Sequence, residues 1–450
     1  MSPSTTSLQH ESTSIPQIGQ SPKGGKTFRI RGVPLSWDED QLQAHLEHQE
    51  PDFRPLVKSL ANEVDGYFKT ATINFQNPLP SERIENPWNI PLPEPDDDDD
   101  DFSVSVLPLR VDSAFLGITT LFAPPVEDHE VDIVAVSGLG GHAYGSFKDK
   151  NGNYMWLQDA LAFDLTNGDT RRPMARIMIH GHNSTVSESN SVQDIRDLSS
   201  ALHSSLLALT QTPRLKPIIL IGHSLGGLII KKTLITLSKC PNQEDQTLFQ
   251  AIYGIVFFGV PHGGMHIESL MPMVDDGPNH PLIESIGASS SVLDRLKQDF
   301  HLALGSRGER EVLCFYETEQ SPTPQLDADG KWKMIGPPTM FVTKSSAIHC
   351  RSWENDNIHI CPIARSHSEI VKFGPGDSYY NDVLERLYGL VQRAARPATR
   401  QVAIRKNRSP KRNTHNQWSR TNSIESRDVT TFVWVPSGFV CRAFAQSRYF

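Results

Sequence analysis

Residues 217–231 read PIILIGHSLGGLIIK, and the order of residue types in that stretch decides the fold. An isoleucine-rich strand runs straight into Gly222, His223, Ser224, Leu225 and Gly226, and an apolar helix is expected to follow over 225–238. A G-x-S-x-G between strand and helix is a nucleophile elbow. The turn is sharp enough to strain the serine, and glycines two before and two after it remove side chains that would strike the neighbouring strand and helix. Ser224 then stands at a helix N-terminus, where the Leu225 N–H and the helix dipole favour negative charge developing on a bound carbonyl oxygen.

Outward from the elbow, apolar runs at 131–137 (VDIVAVS), 176–180 (RIMIH), 253–260 (YGIVFFGV), 312–317 (VLCFYE) and 340–343 (MFVT) read as further strands. Helices are expected over 156–164 and over 192–209, where Ile195, Leu198, Leu202 and Leu206 recur at helical spacing. Strands alternating with helices imply a mostly parallel central sheet with helices on both faces. Residues 265–304 lack a strand pattern and read as a helical cap.

A serine nucleophile needs a histidine to carry its proton and a carboxylate to orient that histidine, following in the chain order serine, acid, histidine on this topology. His367, in ARSHSE, comes after the last expected strand and is the expected proton carrier. His262, in VPHGG, comes too early for an acid to intervene and is expected in the pocket wall; His349 and His359 fall in a cysteine-flanked loop. The acid is expected in Glu317 at the end of VLCFYE, with Asp327 and Asp329 in the next loop as alternatives. The second oxyanion donor is expected in SGLGGH, directly after VDIVAVS. Gly138 and Gly140 would let the backbone approach a carbonyl there, and Leu139 would offer its N–H beside that of Leu225. The fold expected over 104–396 is therefore an α/β-hydrolase, α/β in class, with a site that needs neither metal nor organic cofactor.

The motifs FLGITTLFAPPVEDHEVDIVAVSGLGGHAYGSF, MWLQDALAFDL, ARIMIHGH, IGHSLGGLIIKKTL, FFGVPHGG, FYET and RSHSEIVKF together resemble fungal α/β-hydrolases similar to the serine-active-site-containing protein, relatives of serine esterases and GPI inositol-deacylase-like lipases. The resemblance covers residues 115 to about 393. It implies hydrolysis of acyl esters of lipids, and it points to Ser224 and His367. It also implies an acidic residue near Thr343, which this chain lacks. In fungi such domains often precede NACHT or NB-ARC modules, which are missing here, so a non-catalytic signalling or interaction module is the competing reading. An intact serine, histidine and glycine set favours the enzyme.

Upstream, FRIRGVP at 28–34, a helical pattern through Trp37, Leu42 and Leu46, and TATINF at 70–75 form a small α+β unit over 27–80 that resembles an RRM-like fold. Stacking of RNA bases needs aromatics in its two central strands, yet Arg29, Thr70 and Thr72 occupy those positions, so a protein partner or a structural role is expected there rather than RNA. A Pro-rich and Asp-rich stretch over 81–103, with six aspartates at 96–101, reads as a linker too polar and self-repelling to dock this unit rigidly. Residues 1–26 read as a disordered leader without a secretory h-region, and 397–450 as a basic low-complexity tail.

A net charge of -9 argues against a polyanion binder, and the absence of GxxxxGK[ST] excludes a P-loop NTPase. The longest apolar run, 218–230, falls short of the roughly 20 residues that span a bilayer. Five scattered cysteines form no zinc spacing. The expected address is intracellular and cytoplasmic, with peripheral contact to a mitochondrial or endoplasmic-reticulum membrane.

Overall fold

The computed structural model describes residues 25–93 and 107–396, apart from 151, 213, 276, 306–309, 349–353 and 355. The leader up to residue 24, the aspartate run and the tail from 397 lie outside the described residues, as do Cys350, Cys441 and His349.

The first sheet has five strands, β1 Thr27–Val33, β2 Pro55–Asn62, β3 Lys69–Phe75, β4 Trp88–Ile90 and β5 Leu109–Asp112, in the order β2-β3-β1-β5-β4. Alternation sets its two faces. Phe28, Ile30, Ala71, Ile73, Leu109 and Val111 pack with Leu42 and Leu46 of helix Glu39–Gln49. That helix starts on a capping box in which Asp38 and Gln41 exchange backbone-to-side-chain hydrogen bonds.

The other face is polar and buried against the second sheet. Arg29 pairs with Asp112 at 2.8 Å and donates to Thr119 Oγ1 and the Leu116 carbonyl, while Thr72 donates to Gln158. Two of the positions where stacking aromatics were sought, Arg29 and Thr72, thus carry docking contacts, while Thr70 donates to the Ile30 carbonyl within its own sheet.

The second sheet has seven strands: β6 Gly117–Phe122, β7 Val131–Val136, β8 Ala175–Gly181, β9 Ile218–His223, β10 Ile252–Phe258, β11 Glu311–Glu317 and, after a hairpin of β12 Ser321–Leu326 and β13 Trp332–Thr339, β14 Ile360–Ile363. Their order is β14-β11-β10-β9-β7-β8-β6, parallel except for β6 against β8. In β9 the side chains divide by parity. Ile218 and Leu220 join the apolar cluster with helices Ile195–Leu207 and Leu225–Lys239, and Ile219 and Ile221 join the one with Trp156 and helix Ser378–Ala394. Burial on both faces is why the strand is continuously apolar. This is the α/β-hydrolase fold.

Three expectations are corrected. First, the boundaries at residues 80 and 104 do not hold: β4 and β5 belong to the N-terminal sheet, and β5 passes into β6 through residues 113–116. The polar stretch, most of which lies outside the described residues, therefore falls between two paired strands of one sheet, and the N-terminal unit is docked rather than loosely tethered. Second, residues 340–343 form no strand. Phe341 and Val342 are buried apolar residues of the cap side, and the last strand is β14, short and holding Pro362 at the sheet edge, where a missing N–H is tolerated. Third, the loop after Glu317 contains the β12–β13 hairpin, hidden from pattern reading by Pro322, Pro324, Pro337 and Pro338. The helix expected over 156–164 is a π-turn at Leu157–Leu161 followed by Ala162–Asp164.

Residues 265–304 hold the short helix His280–Ser285 and the longer Ser291–Leu304. The excursion bridges two flanks of the sheet's carboxyl edge. Asn279 Nδ2 donates to the carbonyls of Thr185 and Val186, and the His266 N–H donates to that of Phe341.

Candidate active site

In a parallel sheet the loops at the carboxyl ends of the strands converge on one rim. Gly138 follows β7, Ser224 follows β9, His262 follows β10, Glu317 ends β11 and His367 follows β14. His359 precedes β14, at the opposite rim, where its Nδ1 meets Asp356 at 2.6 Å.

Ser224 has φ +51° and ψ -124°, a conformation that costs a non-glycine residue about 1–3 kcal/mol and is held by the strand and helix around it. Its N–H donates to the Phe258 carbonyl at 3.0 Å, and its carbonyl accepts from Gly227. The glycines of the elbow are enforced by contact. A Cβ on Gly222 would lie 2.6 Å from Gly227 Cα, and one on Gly226 would lie 2.4 Å from the Ser137 carbonyl oxygen.

Ser224 Oγ lies 2.9 Å from His367 Nε2, and His367 Nδ1 lies 2.7 Å from Glu317 Oε2. Glu317 Oε1 accepts the Val342 N–H at 3.0 Å, so both carboxylate oxygens are engaged and the group is buried. Of the three carboxylates weighed from sequence, Glu317 is the one against His367. Asp327 sits in the exposed hairpin turn, accepting from the Asp329 and Lys331 N–H groups and pairing with Lys333.

Gly138 packs so closely on the elbow that a Cβ would fall 2.9 Å from Ser224 Cβ. In the same loop the Gly140 N–H, at φ +64°, donates to the Ser184 carbonyl and the Gly141 N–H to the Gly138 carbonyl. Between Gly138 and Gly140, the Leu139 N–H has no hydrogen-bond partner among the described residues. Leu225 is the first residue of its helix, so its N–H has no intrahelical acceptor. His262 is buried against Phe257, ring centroids 4.8 Å apart, with its N–H on the Ser346 carbonyl.

Several supporting residues were missed from the sequence. His223 Nε2 donates to the His367 carbonyl at 2.9 Å, and burial pushes this imidazole down to about 3, which keeps it neutral at ordinary pH. Ser321 Oγ accepts the His367 N–H at 2.9 Å. Gly259, at φ +53°, is needed because a Cβ there would stand 2.8 Å from Glu317 Oε2. The GVPHGG run was the signal for Gly259; nothing local marked Ser321. Among the described residues no group of three or more His, Cys, Asp or Glu side chains could hold a metal ion.

Residues 158–276 match the family model described as "Putative serine esterase (DUF676)". Strand order and elbow define the class, an α/β-hydrolase fold, and the matched stretch is similar to that serine esterase family. Relatives by sequence are Protein SERAC1 of Bos taurus, 32% identical over 111 residues, and of Homo sapiens, 31% identical over 111 residues, each alignment covering 23% of this chain and 15% of the relative. The chain thus spans about 15% of the length of the curated relatives it matches. Among solved structures, the mature form of the Bacillus licheniformis lipase BlEst2 aligns with a TM-score of 0.37 at 14% identity, over 60% of this chain and 97% of that one. YbtT, a type II thioesterase of a yersiniabactin pathway, aligns with a TM-score of 0.31 at 15% identity, over 61% and 99%.

Proposed function

We propose that the protein hydrolyses acyl esters of lipids through Ser224, His367 and Glu317. The observation that carries the reading is the continuous hydrogen-bonded chain from Ser224 Oγ through His367 to Glu317, with the serine held at φ +51°. Ser224 Oγ attacks the acyl carbonyl carbon as His367 Nε2 takes its proton. The oxyanion so formed is held by the Leu139 and Leu225 N–H groups. Collapse breaks the bond to the leaving oxygen, which receives the proton from His367, and leaves an acyl-serine. Water, deprotonated by His367, attacks that ester, and collapse releases the carboxylic acid and restores Ser224. Glu317 holds the Nδ1–H and stabilises the imidazolium present at each proton transfer.

The lipid class is supported by the resemblance of the chain's motifs to serine esterases and lipases. Since no described helix is long and apolar enough to cross a membrane, a bilayer lipid would be met from the surface. A series of p-nitrophenyl esters from acetate to palmitate tests this. The lipid reading expects kcat/KM to climb with acyl length; a maximum at acetate with loss beyond butyrate would replace it with a short-acyl esterase.

A further inference from the structure

The junction between the two sheets bears directly on the oxyanion loop. Just after β5, the Ser113 carbonyl accepts a hydrogen bond from His142 Nε2 at 2.6 Å. With its proton on Nε2, the ring is left with Nδ1 as acceptor, and the Tyr144 and Gly145 N–H groups point at it from 3.2 and 3.0 Å. Phe115, fully buried, packs on the rings of His142 and Tyr144 with centroids 5.3 and 5.5 Å away. The Tyr144 hydroxyl reaches Gln158 Oε1 at 3.4 Å, and the same oxygen accepts from Thr72 of β3 at 3.0 Å. Ser113 is itself anchored, because Asp112 pairs with Arg29 and accepts the Phe115 N–H at 2.9 Å.

We infer that the N-terminal sheet positions the oxyanion loop, with His142 as the positioning residue that ties Ser113 to the Tyr144 and Gly145 amides and so holds residues 138–141 against Ser224. A loop with glycines at 138, 140 and 141 has great conformational freedom, whereas an oxyanion donor must stand ready within about 0.5 Å of its place. The clamp supplies that order before substrate arrives. Because the oxyanion exists only along the reaction, the effect belongs in kcat rather than KM. The role rests on ester hydrolysis at Ser224.

The test uses the full chain as wild type, His142→Ala, His142→Asn and Gln158→Met, where asparagine keeps an acceptor near the position of Nδ1. Turnover of p-nitrophenyl butyrate, labelling by a fluorophosphonate, and amide exchange of residues 138–145 are measured on each. His142→Ala is expected to lower kcat about tenfold or more while KM stays within about threefold. It should speed exchange in 138–145 but not in 218–235, and His142→Asn, which keeps the acceptor for the Tyr144 and Gly145 amides but loses the donor to the Ser113 carbonyl, should restore at most part of both. Gln158→Met should move both readouts the same way by less, and it decides the matter if His142→Ala fails to fold. Wild-type kcat and exchange in either folded His142→Ala or Gln158→Met, full restoration by His142→Asn, or a loss confined to KM overturns the role. A wild type that neither turns over nor takes the probe overturns the esterase reading itself; an active, labelled wild type with indifferent variants overturns only the role of His142.

Discussion

Ser224 and Glu317 meet His367 through very few atoms, and those atoms separate competing readings. Glu317 has one oxygen on His367 Nδ1 and the other on the Val342 N–H, so a change to glutamine would present an amide N–H to one of two donors. Glu317→Gln is accordingly expected to lower kcat by about 10²-fold or more with little change in KM. Asp327→Asn, in the exposed turn, is expected to leave kcat within about twofold. Steady-state kinetics on both would reverse the assignment if the effects were exchanged. The meeting of Ser224, Glu317 and His367 at one rim was legible because a serine, a carboxylate and a histidine are distinct residue types at ordered places along the chain. His223, Ser321 and Gly259 were not, because what they do depends on which distant segment folds against them.

At the scale of elements, the long two-sided strands β7 to β11 could be read from their apolar runs, as could helices with a clear apolar stripe. β14 and the β12–β13 hairpin could not: prolines interrupt them, and their pairing is fixed by tertiary contact rather than by local preference. The largest misreading was β5. Four residues carry too little periodicity to register, yet Asp112 in that strand forms a buried pair with Arg29, whose guanidinium burial pulls down to about 10. Removing one partner of a buried pair leaves the other uncompensated. Asp112→Asn should therefore cost about 3 kcal/mol, or roughly 4 °C in Tm for a fold of this size. A melting temperature equal to wild type would show that the inter-sheet contact contributes little. A chain beginning at residue 107 would keep β5 but strip its partners β1 and β4, so it should melt lower than the full chain or aggregate.

At the scale of the whole molecule, three deeply buried histidines among the described residues, with His142 shifted the same way, weaken the fold in acid. Burial depresses His180 to about 3, His182 to about 4 and His223 to about 3, against about 6.5 in an unfolded chain. Between those limits the unfolded state binds more protons, so stability is full above pH 6.5 and is lost as pH falls toward 4 and then 3. Tm should drop steeply between pH 6.5 and 4.5, and a His180→Gln variant should flatten the slope by about one proton's worth. A slope unchanged by that substitution would contradict the depressed His180. The central claim, that the rim at the carboxyl edge holds a working nucleophile, is tested most directly by treating the purified full chain with a fluorophosphonate and mapping the adduct by mass spectrometry. A single stoichiometric adduct on Ser224, absent in Ser224→Ala and in heat-unfolded protein, is the result expected; a folded chain that takes no label, or takes it on another residue, would contradict it.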